Sequence, residues 1–311
     1  MIEGDRTLLA QAITLIESRQ PADQAAAQQL LQRLLPRSGK ARRIGITGIP
    51  GVGKSTFIEA FGCLLCEKGH RVAVLTIDPT SQRGGGSILG DKTRMDRLSR
   101  EPNAYIRPSP SGDALGGVAR RTREAMIICE AAGFDVMIAE TVGVGQSEVT
   151  LRSMVDFFLL LMLPGAGDEL QGIKRGILEF ADLLFVNKAD GDNLQRAELA
   201  RAEFALVMNY MPAATEGWKI RVMSGSALTG KNIQDAWDAI TAFYAELEPK
   251  GVIAERRRQQ ALNWLKDLVR EEVMARFLND AGMRKKYQEL ERAILAGEYT
   301  PPEAMARLFP S

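Results

Sequence analysis

Residues 48–55 read Gly-Ile-Pro-Gly-Val-Gly-Lys-Ser, the spacing G-x-x-x-x-G-K-[ST]. These residue types suit one task, holding phosphate. Glycines let successive backbone N–H groups turn inward around an anion, and a following helix adds the partial positive charge of its N-terminus. A lysine at position 54 reaches β- and γ-phosphates, and the Ser55 hydroxyl can sit on Mg²⁺. Gly48, Gly51, Val52, Gly53, Lys54, Ser55 and Thr56 are the candidate phosphate contacts.

Further clusters could complete a nucleotide site. Asn187-Lys188-Ala189-Asp190 follows an apolar run. Asp190 can accept from both the ring N1–H and the exocyclic amine of guanine, and adenine has neither donor. Asn187 and Lys188 would buttress that site. Ser224-Gly225-Ser226-Ala227-Leu228 follows the next run, where a small turn is expected to offer the backbone N–H groups of Ser226, Ala227 and Leu228 to the guanine carbonyl. Glu140-Thr141-Val142-Gly143 stands where P-loop GTPases usually carry D-x-x-G, with glutamate in place of aspartate. The polar segment after it suits a switch. Asp78 is expected to end the second strand beside the P-loop, placed to hold Mg²⁺ or orient a water. Asp91, in the glycine-rich run 84–94, is a further acid for the metal. Lys54, Asp78 and Glu140 are thus the catalytic candidates, and Ser55, Asp78, Asp91 and Glu140 the metal candidates.

Such groups must be positioned by a scaffold. Apolar runs at 43–47, 71–77, 134–139, 157–163, 183–187 and 220–224 read as strands. Several are apolar on both faces, which suits a parallel sheet covered on two sides. Helical patterns at 54–68, 117–132, 193–209 and 230–246 supply the crossovers. The fold expected is α/β, a mostly parallel sheet with helices on both faces and helical extensions at each end. Residues 1–42 read as an N-terminal helical extension, with Asp5 capping the first helix and Pro21 opening the second. Residues 43–250 read as the nucleotide domain and 251–311 as a C-terminal helical region. In that region Leu262, Leu265, Val269, Val273 and Phe277 recur on one broad apolar face. That face must pack on its own domain or on a second copy of the chain. Thr300-Pro301-Pro302-Glu303 reads as a capping box.

Composition sets the outer limits. The chain has 311 residues, 40 basic against 39 acidic, for a formal charge of +1. That balance gives no argument for a nucleic-acid partner. The longest strongly apolar run is far short of a membrane span, and no signal segment opens the chain, so the expectation is cytoplasm, or an organelle matrix after processing. Three cysteines imply no disulfide framework. Cys63 and Cys66 form C-x-x-C inside the helix after the P-loop and read as core positions, with a metal or redox role as the alternative.

Taken together, GIPGVGKST at 48–56, IDPTS at 77–81, GGSILGDKTRM at 85–95, ETVGVGQSE at 140–148, GDELQGIKRGILEFAD at 167–182 and NKAD at 187–190 resemble the MeaB/ArgK family of G3E-type P-loop GTPases, in the SIMIBI class. The resemblance covers nearly the whole chain. It implies GTP and GDP as ligands, Mg²⁺ as cofactor, and GTP hydrolysis. It implies a client, an adenosylcobalamin-dependent methylmalonyl-CoA mutase or related acyl-CoA mutase, whose cofactor loading the protein assists and protects. It also implies a homodimer through the C-terminal helices. Residues 164–174, with Asp168, Gln171 and Lys174, match a switch loop that couples nucleotide state to the mutase. A metallochaperone GTPase is the alternative, and it would need a thiol or imidazole set drawn from Cys63, Cys66, Cys129 and His70.

Overall fold

A computed structural model describes residues 5–18, 20–77, 95–108, 115–141, 147–165 and 175–310. Seven strands form one all-parallel sheet: β1 (Arg42–Gly48), β2 (Val72–Ile77), β3 (Ala104–Arg107), β4 (Val136–Thr141), β5 (Phe157–Met162), β6 (Leu183–Val186) and β7 (Arg221–Ser224). Their order across the sheet is β3-β2-β4-β1-β5-β6-β7. Six of these strands lie where the sequence predicts them. The seventh, β3, is not among the predicted runs.

Alternation along the strands builds two cores. Ile44, Ile46, Val72, Val74, Phe157, Leu159 and Phe185 face one side, against α3 (Lys54–Glu67) and α9 (Ile233–Leu247). Leu75, Met137, Ala139 and Phe158 face the other, where α1 (Arg6–Glu17), α2 (Pro21–Leu34), α5 (Leu115–Ala131) and the short α6 (Ser147–Arg152) pack. Farther along that side, Leu160, Leu184 and Val186 meet α8 (Leu194–Asn209). Asp5 caps α1 through the N–H groups of Thr7 and Leu8, as its sequence position suggests. Arg6 then donates to the carbonyls of Glu101 and Ala104, tying α1 to the β3 edge.

The N-terminal ends of β5 and β6 carry buried charges, and each is answered. Asp156 accepts the Tyr244 hydroxyl at 2.8 Å and Arg257 Nε at 2.9 Å. Burial, and after it the Asp156 carboxylate, pushes the Tyr244 phenol well above its ordinary pKa. Asp182 accepts Arg152 Nη1 at 2.8 Å, the Phe158 N–H at 2.9 Å and the Thr215 hydroxyl. These contacts close the first compact unit, Met1–Arg257.

The second unit, Arg258–Ser311, is helical. It holds most of α10 (Val252–Asn279), then α11 (Ala281–Leu295) and α12 (Pro301–Leu308). Phe277 packs edge-on to Tyr287 and tilted on Phe309, with ring centres 6.1 and 5.6 Å apart. The Thr300–Glu303 capping box forms as the sequence predicts. On α10, Leu262, Leu265, Val269 and Val273 remain 51–61% exposed, so the described residues of this unit do not cover their apolar face.

Removing one member of a buried charge network leaves the others unpaired and costs about 3–5 kcal/mol. Asp182→Ala should therefore lower the unfolding free energy of the first unit by about 3–5 kcal/mol in urea denaturation. A loss below about 1 kcal/mol, the scale of an exposed pair, would contradict the role given to this network.

Candidate active site

All seven strands run the same way, so the loops that follow β1, β4, β5, β6 and β7 leave from one edge. Ligands of open α/β sheets bind outside that carboxyl edge, where the strand order reverses. Here the reversal is at β1, with β4 on one side and β5 on the other.

The β1–α3 turn is shaped by glycine. Gly51 and Gly53 have φ of 78° and 90°, the left-handed region that side chains disfavour. A Cβ on Gly48 would lie 2.5 Å from the Leu161 carbonyl oxygen of β5, and one on Gly53 would lie 3.0 Å from Asn187 Nδ2. The first intrahelical bond, Phe57 N–H to the Gly53 carbonyl at 2.9 Å, leaves the amides of the first turn without helical acceptors. Lys54 Nζ folds back over the loop and donates to the Gly48 carbonyl at 2.7 Å and the Ile49 carbonyl at 3.3 Å. Burial lowers the Lys54 pKa, and the charges of Glu140 and Glu148 pull it back up. Val52 is fully buried, Ser55 is half-buried at the helix start, and Thr56 is exposed.

Glu140 is buried at 4% exposure near the end of β4. Its Oε1 accepts the Thr76 hydroxyl at 3.0 Å. One residue on, the Thr141 and Thr47 hydroxyls meet at 2.7 Å. The sequence puts the second strand directly beside the P-loop strand, and the sheet order corrects that adjacency. β4 lies between β1 and β2, so the strand that ends in Glu140 is the direct neighbour of the phosphate loop. Asp78 and Asp91 lie outside the described residues, as do Gly143 and the switch-loop residues Asp168, Gln171 and Lys174. Ser55 and Glu140 offer hard oxygens, the donor chemistry that fits Mg²⁺.

The Asn187 side chain joins two loops. Its Nδ2 donates to the Val52 carbonyl at 2.8 Å, and its Oδ1 accepts the Ala227 N–H at 3.0 Å. Both bonds are buried, so the phosphate turn and the turn after β7 are held to one point. Lys188 then takes φ 60°, an uncommon conformation for a non-glycine residue. Asp190 is half-buried and accepts the Ser226 hydroxyl. In this turn the Ser226 N–H donates to the Lys231 carbonyl at 3.0 Å and the Ala227 N–H is taken by Asn187. Ser226 therefore acts on Asp190 through its side chain, not through an amide offered to a base as the sequence suggested. Leu228 is 80% exposed at the tip.

Two groups carry no role in the sequence reading. Glu148, buried on α6, belongs to the field around Lys54. Thr76 is the single hydroxyl in an otherwise apolar strand, and that interruption was the available signal. The cysteines are core. All three are buried, and burial pushes the Cys66 and Cys129 thiols up to about 12 and raises Cys63 as well. His70 Nδ1 pairs with Asp135 at 2.6 Å. Among the described residues no group of three or more His, Cys, Asp or Glu side chains is placed to hold a metal ion.

Known proteins resemble this arrangement over its full length. A family model described as methylmalonyl-CoA mutase-associated GTPase MeaB matches residues 9–282. The GTPase ArgK of Escherichia coli is 45% identical over 306 residues, spanning 98% of this chain and 92% of that protein. The mitochondrial methylmalonic aciduria type A homolog of Mus musculus is 45% identical over 314 residues, spanning 98% of this chain and 76% of that protein. A crystal structure of an LAO/AO transport system kinase superposes with a TM-score of 0.80 at 39% identity, covering 99% of this chain and 93% of its own.

Asn187→Ala would strand the Val52 carbonyl and the Ala227 N–H in a buried place, at about 1–3 kcal/mol each. GDP affinity, read by titration of a fluorescent analogue, should fall at least about tenfold. An unchanged Kd would show that the bridge does not set the spacing of the two loops.

Proposed function

Because the chain belongs to the family of methylmalonyl-CoA mutase-associated GTPases, we propose that it binds GTP and GDP, hydrolyses GTP, and serves as a chaperone. Its client in this reading is an adenosylcobalamin-dependent methylmalonyl-CoA or related acyl-CoA mutase, whose cofactor loading it assists and protects. The observation that carries the nucleotide part is the Asn187 bridge, which supports a phosphate turn on one side and a guanine-type turn on the other.

In this reading the first-turn amides of α3 and the Lys54 ammonium receive the β- and γ-phosphate oxygens, Lys54 leaving the loop carbonyls it now touches. Burial lowers the pKa of the half-buried Lys54 while the Glu140 and Glu148 charges raise it, and its ammonium would stabilise negative charge that grows on the transferring phosphoryl group. Asp190, oriented by Ser226, accepts from the guanine edge. Ser55, Asp78, Asp91 and Glu140 are assigned to Mg²⁺, which when bound neutralises phosphate charge. A metallochaperone role is disfavoured, because a thiol ligand must lose its proton and burial holds these three protonated.

The exposed apolar face of α10 suits a second copy of the chain, and we assign it to a homodimer. Among the described residues no helix is long and apolar enough to cross a membrane, and cytoplasmic work fits the reading. The segment from Pro164 to Lys174 follows β5, whose C-terminal end adjoins β1. We assign Asp168, Gln171 and Lys174 to the coupling of nucleotide state to the client.

Purified methylmalonyl-CoA mutase should raise the GTP turnover of the wild-type chain. Lys174→Ala and Gln171→Ala should keep GTP affinity within about twofold while at least halving that stimulation, since they touch coupling and not binding. An unchanged stimulation factor would make the segment a connector. No stimulation of the wild type by any cobalamin-dependent mutase would remove the client.

A further inference from the structure

We propose that Thr76 is a positioning residue for Glu140, setting where that carboxylate stands for Mg²⁺. The inference rests on the metal role assigned to Glu140 above and adds a residue that no motif contains.

Three observations converge on the pair. Thr76 and Glu140 are register partners across β2 and β4, so their side chains leave the same face of the sheet. Thr76 is fully buried and Glu140 nearly so, at 0% and 4% exposure. The Thr76 hydroxyl donates to Glu140 Oε1 at 3.0 Å. The rest of β2 is Val-Ala-Val-Leu and Ile, so this hydroxyl is not part of a polar surface. A buried hydroxyl is tolerated when it is bonded, and a bond to a charged acceptor is stronger than one between neutral groups.

The need for such a guide follows from side-chain length. Where aspartate is usual in this motif, the chain has glutamate, which carries one more rotatable bond. An unguided carboxylate on that longer arm would sample several positions, and each would have to be given up on binding a cation. Mg²⁺ demands near-ideal geometry from its donors and tolerates little spread. Thr76 is β-branched, so its own χ1 is restricted, and it sits on a strand paired on both edges. A rigid donor on a rigid strand thus fixes one carboxylate oxygen. Lys54, whose charge couples to Glu140, then meets that carboxylate in a constant position.

Thr76→Val keeps the shape and removes the hydroxyl. GDP affinity measured without Mg²⁺ should stay within about twofold of wild type, because Thr76 is given no contact with nucleotide. The Mg²⁺ concentration for half-maximal tightening of GDP should rise about fivefold, the scale of one lost hydrogen bond. In turnover, kcat should fall by a similar factor with KM for GTP unchanged. Thr76→Ser, which restores the hydroxyl, should recover most of the Mg²⁺ dependence. In a Glu140→Gln background, Thr76→Val should add no further change in Mg²⁺ dependence, since the two act through one contact. Wild-type Mg²⁺ dependence in Thr76→Val, an equal loss in the Glu140→Gln background, or failure of Thr76→Ser to rescue would each overturn the inference. Nucleotide binding by the wild-type chain that ignores Mg²⁺ would overturn the metal role of Glu140 itself, and this inference with it.

Discussion

Everything at the candidate site depends on the strands being parallel. Seven strands running one way must all release their loops at one edge. The turns after β1, β6 and β7, far apart in sequence, are therefore neighbours in space. One side chain turns that proximity into a fixed geometry. Asn187 reaches the Val52 carbonyl across 135 positions of sequence and the Ala227 amide across 40. The glycines at 48 and 53 follow from the same crowding, because β5 and Asn187 stand where a Cβ would go. At Gly48 the backbone of β5 leaves no room for a side chain, and Gly51 and Gly53 owe their place to left-handed φ values.

The two edges of the sheet handle charge in opposite ways. At the N-terminal edge, Asp156 and Asp182 are sealed among arginines, hydroxyls and backbone amides, and their charge is spent on holding the fold. At the C-terminal edge, the charges of Glu140 and Glu148 act on Lys54. Lys54 leans on loop carbonyls, and burial lowers its pKa against the pull of both acids. Charges kept close in a low-dielectric place interact strongly with one another and with any anion that enters. The first arrangement serves stability, and the second suits binding a highly charged ligand.

Much of this was legible in the sequence, for a physical reason. A phosphate turn and a guanine-type turn need particular residues at fixed short spacings, so G-x-x-x-x-G-K-[ST] and N-K-x-D survive as strings. Buried parallel strands need unbroken apolarity, which marked six of the seven. The N-cap and N3 residues of a capping box are equally local, and Thr300–Glu303 formed as read. What stayed hidden was what depends on the third dimension. Strand order is not written locally, so the second strand was set beside β1 where β4 in fact intervenes. Ser226 and Ala227 looked like amide donors for a base until their own turn and Asn187 claimed those amides. Thr76 is ordinary in sequence and acquires meaning only from its register partner.

The central claim is that the phosphate turn and the Asp190 turn, joined by Asn187, form one site selective for guanine nucleotides. Isothermal titration of the wild-type chain with GTP, ATP and XTP, repeated with Asp190→Asn, tests it most directly. The wild type should bind GTP at least about a hundredfold more tightly than ATP, because a buried acceptor left without its donors costs several kcal/mol. Asp190→Asn should weaken GTP and favour XTP, whose edge matches an amide. Equal affinity of the wild type for GTP and ATP would contradict the claim.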